Sequence, residues 1–471
     1  MPTHTSLSSL LGSSLAKQAA IARDRGDYVE AERLFRLAAP GDNGVSYSDL
    51  GLMLANIRRF PEALEVLELS IKADPNQVQP WVTRSLIYQE QGEVALALGN
   101  VGAAVCITPE NPALLNMMGK LLQKSGRYKE AMLCHHEAIK RAPDDAEYYY
   151  QLGLAMEHEE AIDAARELFE ATLARDPDHT GAYVGLCGVY YRQKRDQDCI
   201  ALAEQAKSRS RSNAAILALA GSAYARQGQR TEAATAFRMA LATAPNDGYC
   251  HHRLAALEGW MTPRAPAEFV RRVFDALAND YDTTVTGTTP YTLPQTVAEI
   301  AGRHLSTPVA AAIDLGAGTG LIGVAIRPLT EQLHGVDLSP RMIAKLNDRK
   351  LYDTVATMDA LEALAADGER CGLITAIGVL PYLGDLSTLI AAAAKRLAPG
   401  GLLIVTIETQ EGTGYALRPS GRFVHNLAYI EKIAAAHGLT IVEKAVASLP
   451  VPEGDGPVAG MILALQPAAS L

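Results

Sequence analysis

The chain has 471 residues, of which 48% are hydrophobic and 20% charged, and its formal net charge is −10. This length exceeds one ordinary core and indicates two or three domains, and the composition is that of a globular protein rather than a disordered chain. The acidic total, with a pI near 5.6, argues against a dedicated nucleic-acid binder, because phosphate backbones require a basic surface.

The cysteines, histidines and apolar runs indicate that the chain is neither a metalloprotein nor a membrane protein. None of the six cysteines forms a C-x-x-C pair, which indicates buried, reduced thiols and no zinc site. The adjacent pairs His135-His136 and His251-His252 point to different helix faces, so we expect no metal. No apolar run approaches the roughly 18 residues of a membrane span, and the N-terminus lacks a signal-peptide pattern, so we predict a cytoplasmic location.

The first half of the chain is repetitive, with a period of 34 over residues 13–246. Prolines and small residues recur at this step: Pro75, Pro109, Pro143 and Pro177, and Ala63, Ala97, Ala131 and Ala165. The pattern resembles the tetratricopeptide repeat (TPR), which has two antiparallel helices per unit. We count seven units and a lone closing helix at 247–259. The sixth unit departs from the pattern, with Lys194 where glycine is common.

The resemblance implies a superhelix whose concave face is lined by the first helix of each unit. The candidate residues of the concave face form a mixed polar and aromatic surface: Asn56, Gln89, Asn116, Lys120, Tyr150, Glu157 and Tyr191. Such a face suits a protein or peptide partner, and the alternative is that these side chains are solvated helix positions. We expect the array to cover residues 1–260 and an α/β domain to cover residues 264–471.

The second half centres on Ala311–Gly320, where an apolar strand ends at Asp314 and is followed by Gly316, Gly318 and Gly320. Glycines at this spacing permit a tight turn and a close approach of backbone to a ligand. The next strand ends at Asp337, whose carboxylate is placed to accept both hydroxyls of a ribose. The spacing is not the G-x-G-x-x-G of a dinucleotide site, and the acid before the glycines would repel a pyrophosphate. A turn without a ligand is the other alternative.

This motif resembles the first motif of the class I S-adenosylmethionine (SAM) methyltransferases, which have a Rossmann-like, seven-stranded sheet. The resemblance implies SAM as cofactor, with Asp314 suited to the ammonium group and Asp337 to the ribose. Leu338, beside Asp337, belongs to the same predicted site. In the family an acid at the tip of the third strand accepts from the adenine amino group, which implies Asp359 with Met358 beside the ring. The alternative role of Asp359 is a helix N-cap.

Residues 269–294 resemble the segment that precedes the SAM motif in bacterial TPR-containing methyltransferases, which implies that Tyr281 and Tyr291 form a lid. The alternative is that both rings only pack the helices together. The substrate edge follows the fourth strand, where Tyr382 is a candidate catalytic residue. Gly378, a candidate cofactor-binding residue, takes the place of an acid found in related chains. In the polar loop 412–426, His425 is the candidate general base, since histidine titrates near neutral pH. It could instead serve packing or substrate binding.

Three functions therefore remain open. The first is a SAM-dependent methyltransferase whose repeats recruit a protein substrate. The second is a small-molecule or glycan methyltransferase that its repeats dock onto a pathway complex. The third is a non-catalytic SAM-binding assembly factor, which the missing acid at Gly378 favours.

Overall fold

A computed structural model describes residues 7–42, 44–286, 291–306, 308–366, 368–451 and 457–468. Its first half is helical, with these bounds: α1 Leu7–Asp24, α2 Tyr28–Ala38, α3 Val45–Asn56, α4 Phe60–Ala73, α5 Val78–Glu90, α6 Val94–Ile107, α7 Pro112–Lys124, α8 Tyr128–Arg141, α9 Ala146–His158, α10 Ile162–Arg175, α11 Thr180–Arg192, α12 Asp196–Ser208, α13 Ala214–Arg226, α14 Arg230–Thr243 and α15 Gly248–Glu258. Consecutive helices pack in pairs, for example α3 with α4 and α13 with α14. The predicted repeat array is confirmed, and helix α15 lies in the segment 247–259 that was predicted to close it.

Local sequence explains where these helices begin and turn. Side chains such as those of Asn111 and Asp247 cap the helix that follows by accepting a backbone N–H. Glycines such as Gly92 turn the chain between paired helices with a positive φ. Lys194 adopts the same conformation at φ 57° without being glycine, which costs about 1 kcal/mol and is an irregularity of the sixth unit.

The second half alternates helices and strands. Its helices are α16 Ala267–Leu277, α17 Tyr281–Thr286, α18 Leu293–His304, α19 Leu321–Ile326, α20 Pro340–Arg349, α21 Ala360–Ala365, α22 Ser387–Arg396 and α23 Leu427–Ala436. Its strands are β1 Val309–Leu315, β2 Thr330–Asp337, β3 Thr354–Thr357, β4 Cys371–Ala376, β5 Leu397–Glu408, β6 Tyr415–Leu417, β7 Phe423–His425, β8 Leu439–Leu449 and β9 Val458–Pro467.

Within the described residues the sheet has seven strands in the order β3-β2-β1-β4-β5-β9-β8. The first five strands of this order pair in parallel, and β9 pairs antiparallel with both β5 and β8. Apolar side chains cover both faces, as a buried parallel sheet requires. The predicted fold class, an all-α repeat array followed by a seven-stranded α/β domain, is confirmed.

One segment differs from the sequence prediction. The segment 412–426, expected to be a polar loop, contains the antiparallel pair β6 and β7. Its apolar residues Leu417 and Phe423 are buried in a cluster with Phe269 and Tyr382, and this distant packing explains the pairing. Strand β5 includes residues 398–401, where its register with β4 shifts.

Contacts divide the chain into two compact units. One comprises residues 1–193 and 201–212, and the other comprises residues 194–200 and 213–471. Helices α13–α15 therefore belong to the same unit as the sheet. Among the helices that the structure describes, none is long and apolar enough to cross a membrane.

Candidate cofactor and active site

A pocket lies at the carboxyl ends of the central parallel strands, where ligands bind in open α/β sheets. Its empty space, open solvent at its mouth included, is about 770 Å³. The predicted residues that line it share positions on loops after strands or on the preceding helices: Tyr281, Gly316, Gly318, Asp337, Leu338, Met358, Asp359, Gly378 and Tyr382. The structure thus brings together residues that are far apart in the sequence.

The glycine loop between β1 and α19 forms one wall of this pocket. Gly316 and Gly318 have φ values of 66° and 55°, a region that favours glycine. A Cβ on Gly318 would have only open space around it, with the nearest atom 4.0 Å away, so backbone is exposed to a ligand there. Gly320 differs, because its Cβ would meet Leu346 of α20 at 2.6 Å. The structure therefore places Gly320 in helix packing and corrects our expectation of a ligand contact.

Asp337 connects the tip of β2 to the glycine loop. Its Oδ2 accepts the N–H of Gly318 at 2.9 Å and its Oδ1 accepts the N–H of Ser339 at 2.8 Å. Burial raises the pKa of Asp337 to about 6, and these two backbone donors oppose that shift. Each carboxylate oxygen keeps a second lone pair, so the group can hold the loop and still accept a ribose hydroxyl.

Asp314 lies behind the glycine loop with 1% of its surface exposed. Its oxygens accept the hydroxyls of Tyr352 and Thr375, both at 2.7 Å. Burial raises the pKa of Asp314 to about 6, and the two hydroxyls oppose that shift. The sequence did not indicate these partners, since they come from other elements. They occupy one lone pair on each oxygen, so the carboxylate acts first as an anchor of the loop.

The predicted lid residues line the pocket region from the side of α16–α18. Tyr281 is half-buried and its ring lies 6.3 Å from that of Phe274. Burial raises the pKa values of Tyr281 and Tyr291, so both hydroxyls stay protonated at neutral pH. Asp282, the next residue, accepts hydrogen bonds from Thr319 in the glycine loop and from Arg349 of α20. A side chain of α17 is thereby attached directly to the loop.

The adenine end of the predicted site contains a partner that sequence analysis missed. Asp359 caps α21 by accepting the N–H of Leu361 at 2.8 Å, which confirms the N-cap alternative. Its other oxygen accepts from Arg264, which also lines the pocket. An adenine amino group would share this carboxylate with Arg264. Leu338 and Met358 line the same pocket.

A second pocket adjoins the first and shares Phe274, Tyr281, Gly316, Gly318, Ile377 and Gly378 with it. Tyr291, Thr319, Thr406 and Arg422 complete its polar lining. Arg422 is buried and forms an ion pair with Glu408 at the end of β5. Its Nη1 donates to the hydroxyl of Tyr382 at 3.2 Å. Sequence analysis singled out the segment around Arg422 but not Glu408, because β7 meets the end of β5 only in the folded chain, where Thr409 and His425 form a bridge.

His425 does not fit the role of general base that the sequence suggested. Its ring is 0% exposed and it lines neither pocket. Nε2 lies 2.8 Å from the carbonyl oxygen of Leu383 and 3.2 Å from that of Gly384, so it must carry the proton. Burial lowers the pKa of His425 to about 4. The structure therefore corrects this prediction and makes His425 a support for the loop that carries Tyr382.

The repeat helices in residues 1–193 hold the other candidates. Asn56 and Lys120 are exposed, and Lys120 donates to Glu147 at 3.2 Å, whereas Asn116 is buried. Tyr150 packs against His179, with ring centres 4.5 Å apart. Among the residues that the structure describes, no cluster of His, Cys, Asp or Glu could hold a metal ion.

Comparison with known proteins agrees with this architecture. Residues 313–403 match the family model of a methyltransferase domain, and residues 116–180 and 158–219 match models of the tetratricopeptide repeat. The chain therefore carries tetratricopeptide repeats and a methyltransferase domain.

Relatives resemble one half of the chain or the other. A ubiquinone biosynthesis O-methyltransferase of Cereibacter sphaeroides is 30% identical over 132 residues, which is 26% of this chain and 53% of that protein. The chain thus spans about half the length of such relatives. Among solved structures, a tetratricopeptide repeat protein of Parabacteroides merdae covers 53% of this chain over 99% of its own, at 18% identity and a TM-score of 0.41. A SAM-dependent methyltransferase of Clostridium acetobutylicum covers 42% of this chain over 99% of its own, at 15% identity and a TM-score of 0.33.

Proposed function

We propose that this chain is a SAM-dependent methyltransferase whose repeats recruit its acceptor, a protein. The observation that carries the proposal is the pocket after β1 and β2, where the exposed backbone of Gly318 and the carboxylate of Asp337 lie side by side. These residues fit SAM, because a nucleoside needs a hydrogen-bond acceptor for its ribose hydroxyls and an open stretch of backbone.

Each residue has a defined task in this proposal. Asp337 and the glycine loop would hold the ribose, Leu338 and Met358 would flank the adenine, and Tyr281 would cover it. When bound, SAM supplies a methyl group made electrophilic by its sulfonium. The rings of Phe274 and Tyr281 favour positive charge near the pocket, and holding the acceptor in line accounts for up to roughly 7–11 kcal/mol of the barrier in well-held systems.

The acceptor would lie in the second pocket, beside Tyr382 and Arg422. Among the residues that the structure describes, neither pocket lining contains a histidine, so this proposal favours a nucleophile that needs no histidine base. Arg422 lines the second pocket and donates to the hydroxyl of Tyr382, which lines the first pocket, so Tyr382 lies at the junction where the methyl group would pass to the acceptor.

A second candidate function is methylation of a small molecule, with the repeats docking the enzyme onto other proteins of a pathway. The resemblance to ubiquinone biosynthesis O-methyltransferases favours it, and so does the largely apolar lining of the second pocket, which includes Leu293, Ile322 and Leu449. A cytoplasmic location stays a prediction for either candidate.

Radiolabelled SAM, incubated with the full-length protein and a cell lysate, separates the candidates. Our proposal expects label on a protein band. Label in the small-molecule fraction would instead support the second candidate, and no transfer by a protein that binds SAM would leave a non-catalytic assembly factor.

A double variant tests whether the repeats recruit the acceptor protein. Asn56 and Lys120 are exposed, so replacing both with alanine should change stability by less than about 0.5 kcal/mol each. We expect less label on the protein band and unchanged SAM affinity. Equal labelling of that band by the double variant would contradict recruitment through these positions.

A further inference from the structure

Helix α15, the last helix of the repeats, contacts the turn that precedes Arg422. The Nε2 of His252 lies 2.8 Å from the carbonyl oxygen of Gly421, and Nη1 of Arg253 donates to the carbonyl oxygen of Ser420 at 2.9 Å. His252 is 1% exposed and Arg253 4%. Each of these two buried side chains therefore donates a hydrogen bond to one of the two residues immediately before Arg422.

The hydrogen bond of His252 has one possible polarity. A carbonyl oxygen only accepts, so the proton lies on Nε2. Burial lowers the pKa of His252, which keeps the ring neutral at physiological pH. The contact between His252 and Gly421 is thus a hydrogen bond between two uncharged groups.

The turn itself leaves little freedom for Arg422. The N–H of Gly421 donates to the carbonyl oxygen of Arg418 at 2.8 Å, and a Cβ on Gly421 would meet the ring of Phe269 at 2.9 Å. From this turn Arg422 reaches Glu408 and the hydroxyl of Tyr382. A shift of the Ser420 and Gly421 carbonyls would therefore move the guanidinium that lines the second pocket.

Aromatic packing runs along the same path. The ring centre of Phe269 lies 4.5 Å from that of His252 and 6.3 Å from that of Tyr382. Phe274 then contacts Tyr382 with ring centres 5.5 Å apart. Buried side chains of α15 are thus connected to the pocket both through hydrogen bonds and through packed rings.

We propose that α15 is a working part of the methyl-transfer site, in which His252 and Arg253 are positioning residues that set the place of Arg422. This inference rests on the proposed function for its chemistry. It assigns α15 a role beyond closing the repeat array: the acceptor pocket is complete only when this helix holds the turn at 418–422.

The test uses the full-length chain with His252→Ala and with Arg253→Ala. We expect label transfer from SAM to fall about tenfold or more, as one lost orienting hydrogen bond does. Affinity for S-adenosylhomocysteine, measured by calorimetry, should stay within about twofold, because neither residue lines the cofactor pocket. His252→Gln keeps an N–H donor and should restore transfer to within about threefold of the wild type.

His251→Ala is the matched control, since this neighbouring histidine is exposed and contacts only the carbonyl oxygen of Pro245 among the hydrogen bonds described. It should transfer label like the wild type. Wild-type transfer by His252→Ala and Arg253→Ala would overturn the inference. A joint loss of transfer and of S-adenosylhomocysteine affinity would also overturn it, because that result means general unfolding of the site.

A wild-type protein that binds S-adenosylhomocysteine but transfers no label would defeat the proposed function alone. Hydrogen exchange of the 415–425 amides then decides the inference. His252→Ala should speed exchange there, His252→Gln should restore it, and the amides of α15 should be unchanged. No faster exchange at 415–425 would overturn the positioning role.

Discussion

The carboxylate of Asp337 has two tasks, holding the glycine loop and lining the pocket, and only the second could be predicted from the sequence. It accepts the N–H groups of Gly318 and Ser339, and it lines the pocket. Its place at the tip of a strand could be predicted, because strand ends follow from local apolar runs. Its contact with the glycine loop could not, because it depends on how β1 and β2 pair.

Asp337→Ala tests the ribose assignment. Affinity for SAM should fall by about 1.5–3 kcal/mol, the usual contribution of hydrogen bonds to a charged group. Calorimetry measures the change, and Asp348→Ala is the control, since Asp348 is exposed on α20. Unchanged affinity in Asp337→Ala would contradict the assignment.

Affinity for the cofactor should also depend on pH. The folded-state pKa of Asp337 is raised to about 6 from a reference of 3.8, so the group gains a proton as pH falls through 6 and loses acceptor strength. The dissociation constant for S-adenosylhomocysteine should rise about tenfold between pH 7 and pH 5. Titrations at several pH values measure this, and Asp337→Asn should bind weakly with a flat profile. A slope that persists in that variant would assign the titration to another group, such as Asp314.

His425 and Asp314 show why site residues are harder to predict than elements. Histidine near a substrate edge suggested a base, yet burial and two carbonyl partners remove His425 from the pocket. Asp314 was expected to face a ligand, yet Tyr352 and Thr375 bond to its oxygens. In each case the deciding partner lies on an element distant in sequence.

At the scale of elements, the glycine loop offers a contrast between two neighbouring positions. A Cβ on Gly316 would lie 2.5 Å from Val379, whereas one on Gly318 would meet only an oxygen at 4.0 Å. Both residues have positive φ, so alanine at either position is strained by about 1–2 kcal/mol.

We therefore expect Gly318→Ala to lose at least about tenfold in S-adenosylhomocysteine affinity with a small drop in melting temperature, because its methyl group enters the pocket. Gly316→Ala should lose more stability, since overpacking adds about 1–3 kcal/mol. Thermal unfolding and calorimetry on both variants measure this. Equal cofactor affinity in Gly318→Ala and the wild type would argue against a ligand at this loop.

Regular elements followed from periodic sequence. The N-cap of α20 is a local feature of this kind, since Ser339 accepts the N–H of Met342 three residues later at 3.1 Å. The short pair β6 and β7 was missed, because three-residue strands leave no periodic pattern and their buried side chains pack on α15 and α16. Without β7, the ion pair between Glu408 and Arg422 could not be predicted either.

At the scale of the whole molecule, the repeats and the methyltransferase sequence were expected to meet between residues 260 and 264. Contacts group residues 194–200 and 213–471 into one compact unit, and the boundary between 260 and 264 stays a prediction. Helix α15 explains this grouping, since Tyr249 packs on Phe269 with ring centres 5.4 Å apart. Sequence periodicity marks where a repeat ends, but it carries no information on which later element covers its last helix.

Calorimetry of the purified full-length protein with SAM and with S-adenosylhomocysteine tests the central claim most directly. We predict one binding site per chain with a dissociation constant on the order of micromolar, weakened by Asp337→Ala and by Gly318→Ala. Absence of binding heat with either nucleoside, at several temperatures, would contradict the assignment of the pocket and with it the proposed methyl transfer.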